Sequence, residues 1–392
     1  MRFTSTITLL LIGMLCGTPS LGICQQDSAE EARVIAAARS ILRDGFVRPL
    51  DEAVLASLSV SDLLQKADHD YGQYLTKKEI EDLRRPSQAV DFGVSFRRRH
   101  GEIQVVPRAQ GPAALTGLRP GDRLEKLEGQ DAQGMRLWEL DKVLSSLQQR
   151  ATLTVRRGDS IHSFVIDGAK ASDVPRSVQV QWPATDILML RIPGLSDSTL
   201  KESADALSGQ WRRDIRGVIL DLRGSPGGQF SSAIGHASIF LPNNALVVTL
   251  RSNSTFVNNM QFRATPGDYA RRSASDELRN LPVAIKTVPL AVLVDETTSS
   301  GAELIAAAIQ SHRRGIIIGG QSAGVTSVQT FSALPNGSLI KYTSAYWEPP
   351  VGRQIDEVGL TPDKTVGSSD PEAAVAAAVD ALSPSVKSVP KN

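Results

Sequence analysis

Two apolar runs with the same punctuation constrain the fold more than anything else in the chain. Gly217-Val-Ile-Leu-Asp-Leu-Arg223 runs into Gly224-Ser-Pro-Gly-Gly228 and then a helical stretch over 231–240. Pro289-Leu-Ala-Val-Leu-Val-Asp295 runs into Glu296-Thr-Thr-Ser-Ser-Gly301 and then 302–311, rich in good helix formers. Runs this short and continuous suit strands buried on both faces, each followed by a helix. With strands also expected at 187–192, 246–250 and 338–346, and helices at 198–212 and 373–382, the reading is an α/β core with largely parallel pairing.

In such a sheet ligands meet the carboxyl ends of the strands. Ser300 sits where a strand becomes a helix, beside the backbone N–H groups left free at a helix start. Such donors can hold a developing oxyanion. A serine there is equally an ordinary N-cap, and both readings stay open. If the strand ends at Asp221 and Asp295 lie side by side, the 224–228 bend comes next to Ser300. An amide of Gly227 or Gly228 would then complete an oxyanion hole with that of Gly301; a tight turn holding no ligand is the alternative.

The remaining chain divides by pattern. Residues 28–48 and 50–66 read as helices, and Thr76 with Glu79 matches a capping box, so 25–86 is expected to be a small helical domain. From 88 to 168 short strands at 92–96 and 103–106, a glycine turn within 111–124, a helix over 137–147 and a hairpin over 151–166 form another unit. The core is expected over 177–382, with polar residues 251–279 as an exposed insertion and 383–392 as a disordered tail.

Composition excludes more than it proves. The 43 basic and 42 acidic side chains leave a net charge of +1, which gives no reason to expect a nucleic-acid partner. Five histidines form no metal-binding pattern, so neither a metal nor another cofactor is expected. Arg2 and the apolar run 7–15, followed by Ser20-Leu21-Gly22, read as a secretory signal over 1–22. An anchor retained at the same place is the alternative, and Cys24 after Ile23 is a poor lipoprotein box. The expected location is periplasmic or extracellular. Cys16 and Cys24 are the two cysteines, which leaves no disulfide inside a domain.

Four motifs in order resemble those of the carboxy-terminal processing, or tail-specific, serine peptidases. They are the aspartate-rich 68–79 segment, Asp221-Leu-Arg-Gly-Ser-Pro-Gly-Gly228, Ser299-Ser300-Gly301-Ala302-Glu303 and Gly359-Leu-Thr-Pro-Asp363. The 88–168 unit resembles a circularly permuted PDZ domain, with Gly117-Leu-Arg-Pro-Gly-Asp122 as its turn. The resemblance implies a crotonase/Clp-protease-like core, a PDZ domain and an N-terminal helical segment. It implies Ser300 as nucleophile, Gly227, Gly228 and Gly301 around the oxyanion, and Gln329 orienting a general-base lysine. It also implies that Gly93, Val94, Ser95 and Phe96 form a loop that captures protein or peptide C-termini beside an added strand. Arg97-Arg98-Arg99 could attract a carboxylate, although a solvated strand edge is the plainer reading.

One departure matters. In the family the lysine comes from a loop, which here is Gly324-Val-Thr-Ser-Val-Gln329; its position is Val325, and valine cannot accept a proton. Lys341 has the right chemistry to replace it, but strand lysines are mostly exposed. His312 lies at the far end of the nucleophile helix, out of reach. The rival to a peptidase is therefore a non-catalytic peptide-binding scaffold or regulator, working with a partner protein.

Overall fold

The computed structural model describes residues 20–84, 90–108, 111–170, 177–254, 257–270, 276–351, 354–367 and 370–383, with side chains from 29 onward. The expected signal and the expected tail beyond 383 fall largely outside the described residues. Among the described residues, no helix is long and apolar enough to cross a membrane.

Six strands form the central sheet, in the order 179–184, 187–191, 217–221, 290–294, 316–319 and 364–365. All pairings are parallel except the first hairpin. Every residue of Gly217–Asp221 and Leu290–Val294 is buried, as the unbroken apolar runs require. Helices Phe230–Phe240 and Gly301–Ser311 cover one face, where Ile234, Phe240, Leu304 and Ile305 join the main core. The last helix, Pro371–Leu382, covers the other, packing Ala374, Ala378 and Leu382 on Ile219, Ala291 and Leu293. Asp221 lies opposite Leu293, so the two strands end together and the two bends meet.

A second sheet, antiparallel, is built on the long strand Leu339–Glu348. It pairs with Gln73–Leu75, Leu246–Arg251 and Ser327–Ala333. The loop expected over 324–329 gives way to this strand from Ser327 onward; its mixed polar and apolar residues offer little strand signal, and pairing decides it. Residues 251–279 are also more than an exposed insertion. Gln261–Arg263 adds a strand, while Ala264 and Tyr269 enter the main core.

The N-terminal helices do not close a core of their own. Val34, Ala38, Leu42, Leu63 and Leu64 share one cluster with Leu334, Ile340 and Tyr342 of the second sheet. The expected single helix over 50–66 is two, Glu52–Leu55 and Val60–Ala67, because Ser59 takes an extended backbone and caps the second through the Asp62 amide at 3.1 Å.

Between 90 and 170 lies a separate antiparallel sheet with its own core, including Ile103, Leu124, Leu140 and Leu153. Its strand Val94–Arg99 pairs on one side with Glu102–Pro107 and forms the sheet's edge. The strand begins after Gly93, not before it. Gly93 has φ +65°, a left-handed turn that glycine adopts without strain.

Leu42 is fully buried in the cluster the helices share with the second sheet. Leu42→Ala is expected to cost about 2–5 kcal/mol. Denaturant unfolding should show one lowered transition for helices and second sheet together; a separate early transition of the helices would contradict the shared core.

Candidate active site

Ser300 has φ 53° and ψ −120°, a conformation that an ordinary N-cap does not use. Its amide donates to a Glu303 carboxylate oxygen at 2.8 Å, and its hydroxyl makes the reciprocal capping-box contact with the Glu303 backbone, without a side-chain cap hydrogen bond. The side chain is neither deeply buried nor free in solvent. The hydroxyl combines a capping-box contact with a left-handed, partly exposed backbone position.

The glycine bend lies directly against it. A Cβ on Gly227 would fall 2.7 Å from the Gly301 nitrogen and 3.0 Å from the Ser300 Cβ. Gly227 has φ +84°, so both backbone shape and crowding demand glycine there. Gly228 is pinned by its neighbours: the Leu195 amide donates to the Gly227 carbonyl at 2.8 Å, and the Gln229 amide to the Leu195 carbonyl at 2.9 Å. The amides of Gly228 and Gly301 have no acceptor among the described residues. Two free donors beside a presented hydroxyl are the minimum of an oxyanion site.

Asp295 locks the bends together. Its Oδ1 accepts from the Gly224 amide at 3.2 Å, the Thr297 amide at 3.0 Å and the Thr298 amide at 2.9 Å. The Ser299 amide then donates to the Ser225 carbonyl at 3.0 Å, across the two turns.

Glu303 does the same for the next loop. Fully buried, it accepts from the Ser300 amide, the Ser322 hydroxyl, the Gly324 amide at 2.6 Å and the Val325 amide at 2.9 Å. The Ser300 and Val325 amides share one oxygen, so the two nitrogens are no further apart than the sum of their two bonds. Burial pushes the Glu303 carboxyl up to about 7, with the four donors pulling it back.

Val325 thus stands beside the nucleophile turn and brings only hydrocarbon. Gln329 lies on a strand rather than in the expected loop. Its Nε2 donates to the Thr343 hydroxyl at 2.9 Å, while its buried Oε1 has no partner among the described residues. Lys341 is half-buried, contrary to the exposed side chain expected of a strand lysine. Burial lowers its pKa, and the carboxylates that face it are Asp141 and Asp68. His312 bonds the Leu246 carbonyl at 2.7 Å, at the far end of the helix.

The arginines are not a solvated edge either. Arg98 grips Asp70 with Nε at 2.8 Å, and Arg97 is partly buried within the field of Glu303 and Glu296. The Gly93 amide, expected as a free donor, is taken by Asp91 at 2.7 Å. Gly93, Val94 and Ser95 nevertheless border the same cavity, of about 560 Å³, as Gly227. Phe96 follows Ser95 on the edge strand. Sequence reading missed the joining roles of Asp295 and Ser322. For Asp295 a signal existed, since an aspartate two and three residues before threonines is an Asx-turn pattern.

Fold and site together define a serine-type peptidase, a hydrolase class. Residues 186–366 match the family model described as peptidase family S41. The chain is similar to a CtpA-like serine protease of Staphylococcus saprophyticus, 26% identical over 370 residues, covering 92% of this chain and 72% of that protein. It is similarly 26% identical to a CtpA-like serine protease of Staphylococcus aureus strain COL, over 83% of this chain and 63% of that protein. Among solved structures it resembles the photosystem II D1 C-terminal processing protease with a TM-score of 0.70 and 19% identity, covering 86% of this chain and 93% of the other, a likeness of fold.

The raised Glu303 carboxyl gives a signed prediction. A carboxyl held higher in the folded chain than its ordinary 4.5 stabilises the fold fully below about 4.5 and loses that contribution as pH rises through about 7. The stability of the wild type relative to Glu303→Gln should rise by on the order of 3 kcal/mol as pH falls from 8 to 4.5. A pH-independent difference in urea titrations would contradict it.

Proposed function

We propose that the chain is a serine endopeptidase of the tail-specific kind, exported from the cytoplasm, whose cleft receives the C-terminal regions of proteins. Ser300 is its nucleophile, Gly301 with Gly228 and the Gly227 bend hold the oxyanion, and Gln329 is an orienting residue that has lost its lysine. The domain over 90–170 acts as a PDZ-like module, adding a peptide as a strand along the open edge of Val94–Arg99. The observation that carries the reading is the contact of Gly227 with Ser300 and Gly301, beside two unpaired amides.

Chemistry in this cleft is slow. Attack on a peptide carbonyl requires the Ser300 proton to leave, and the position from which a lysine would take it is Val325. Loss of a base from a serine protease costs about 10⁴–10⁶ in turnover. The second reading, a peptide-binding protein without turnover, is favoured by the same valine and by the orphaned Gln329 Oε1.

Cleavage of an unfolded protein with an apolar tail separates the two. The peptidase reading expects slow cleavage that Ser300→Ala abolishes; equal, negligible cleavage by both chains supports the binding protein. Val325→Lys places an amine on the loop tied to the Ser300 turn and in the cavity that Arg97 lines, whose charge would help keep it neutral. Cleavage should rise at least about a hundredfold, a fraction of the 10⁴ lost with a base. No rise in a folded variant would overturn the intact-cleft premise.

A further inference from the structure

The cavity between the edge strand and the glycine bend contains a cation that the fold does not use. Four charged side chains line it: Asp91, Arg108, Arg191 and Arg223. Arg108 is paired with Asp91 at 2.8 Å. Arg223 grips Asp221 through Nε and Nη2, each at 2.8 Å. Arg191 has no hydrogen-bond or ion-pair partner among the described residues. Its register neighbour is that same Asp221, whose two oxygens are occupied by Arg223. A partly buried guanidinium with all its donors open is matched in shape and charge by a carboxylate.

Its place in the cleft is defined. Arg191 ends the strand Ile187–Arg191, and its Nη2 lies 3.9 Å from the point a Cβ on Gly224 would occupy. From Gly224 to Gly227 is three residues, at most about 11 Å of extended chain. The Gly93 amide, expected to receive a peptide carboxylate, is bound to Asp91. The open donor group in the cavity is thus on the core, close to the oxyanion bend.

We propose that Arg191 binds the free α-carboxylate of a protein tail and so sets where the tail lies over Ser300, about three residues from the end. This rests on the cleft's receiving protein tails. The side chain is bordered by Arg223 and the stem of Arg108, and it also borders a second cavity lined by Asp295, Glu372 and Asp380.

Binding rather than turnover tests it, by fluorescence polarisation with the full chain carrying Ser300→Ala. Three labelled eight-residue peptides with apolar ends are compared: a free acid, the C-terminal amide, and an amide ending in aspartate. The free acid should bind at least about tenfold more tightly than the plain amide, the scale of one charge-assisted hydrogen bond. Adding Arg191→Gln should erase that difference without lowering the melting temperature, since Arg191 holds no partner in the fold. A difference that survives Arg191→Gln overturns the proposal. So does an aspartyl amide that binds as tightly as the free acid, because the site would then read acidic side chains and not chain ends. Equal binding of acid and amide overturns it while leaving the cleft reading standing; no binding of any peptide overturns the cleft reading as well.

Discussion

One buried carboxylate holds the candidate site in shape. Glu303 takes the amides of Ser300 and Val325 on one oxygen, and the Gly324 amide and Ser322 hydroxyl on the other. It fastens the nucleophile turn to the loop that would carry a base. Taking a carboxylate fully out of water is costly, and four donors are what make it tolerable. The Ser322 hydroxyl that donates to it also accepts from the Leu360 amide at 2.7 Å, extending the tie to the segment before Pro362. Asp295 plays the matching part for the glycine bend. Two acids, Glu303 through both oxygens and Asp295 through Oδ1, bind backbone and hydroxyl donors and make the geometry of the cleft a property of the core.

The side chain at 325 takes no part in this arrangement. Substituting valine at 325 removes no partner of Glu303, because the contact is made by the backbone amide. The loop is held by its backbone, Gln329 lies on its strand, and its Oε1 has no partner among the described residues. Such a cleft can lose chemistry before it loses binding.

The sequence disclosed the parts governed by local rules. Unbroken apolar runs marked Gly217–Asp221 and Leu290–Val294 as central strands, and the glycines after Asp221 marked a bend that could approach a ligand. What it could not disclose depended on distant partners. Ser327–Ala333 is a strand because Leu339–Glu348 pairs with it, not because its residues prefer that state. The N-terminal helices looked independent because their apolar stripe does not say what it covers; here it covers Ile340 and Tyr342. Lys341 looked exposed until Asp68 and Asp141, far off in sequence, were brought around it. Arg97 likewise looked like a charged edge and lies in the field of Glu303. The family motifs carried Ser300 and Val325 into one site, where spacing alone would have left a serine and a loop.

The central claim is that Ser300 faces the free amides of Gly228 and Gly301. A crystal structure of the chain with a peptide boronic acid tests it most directly. The account predicts boron bonded to the Ser300 Oγ, with one boronate oxygen within hydrogen-bond distance of both amides. An adduct whose oxygens point away from the two glycines, or a peptide bound in the cleft with Ser300 unmodified and turned inward, would contradict it.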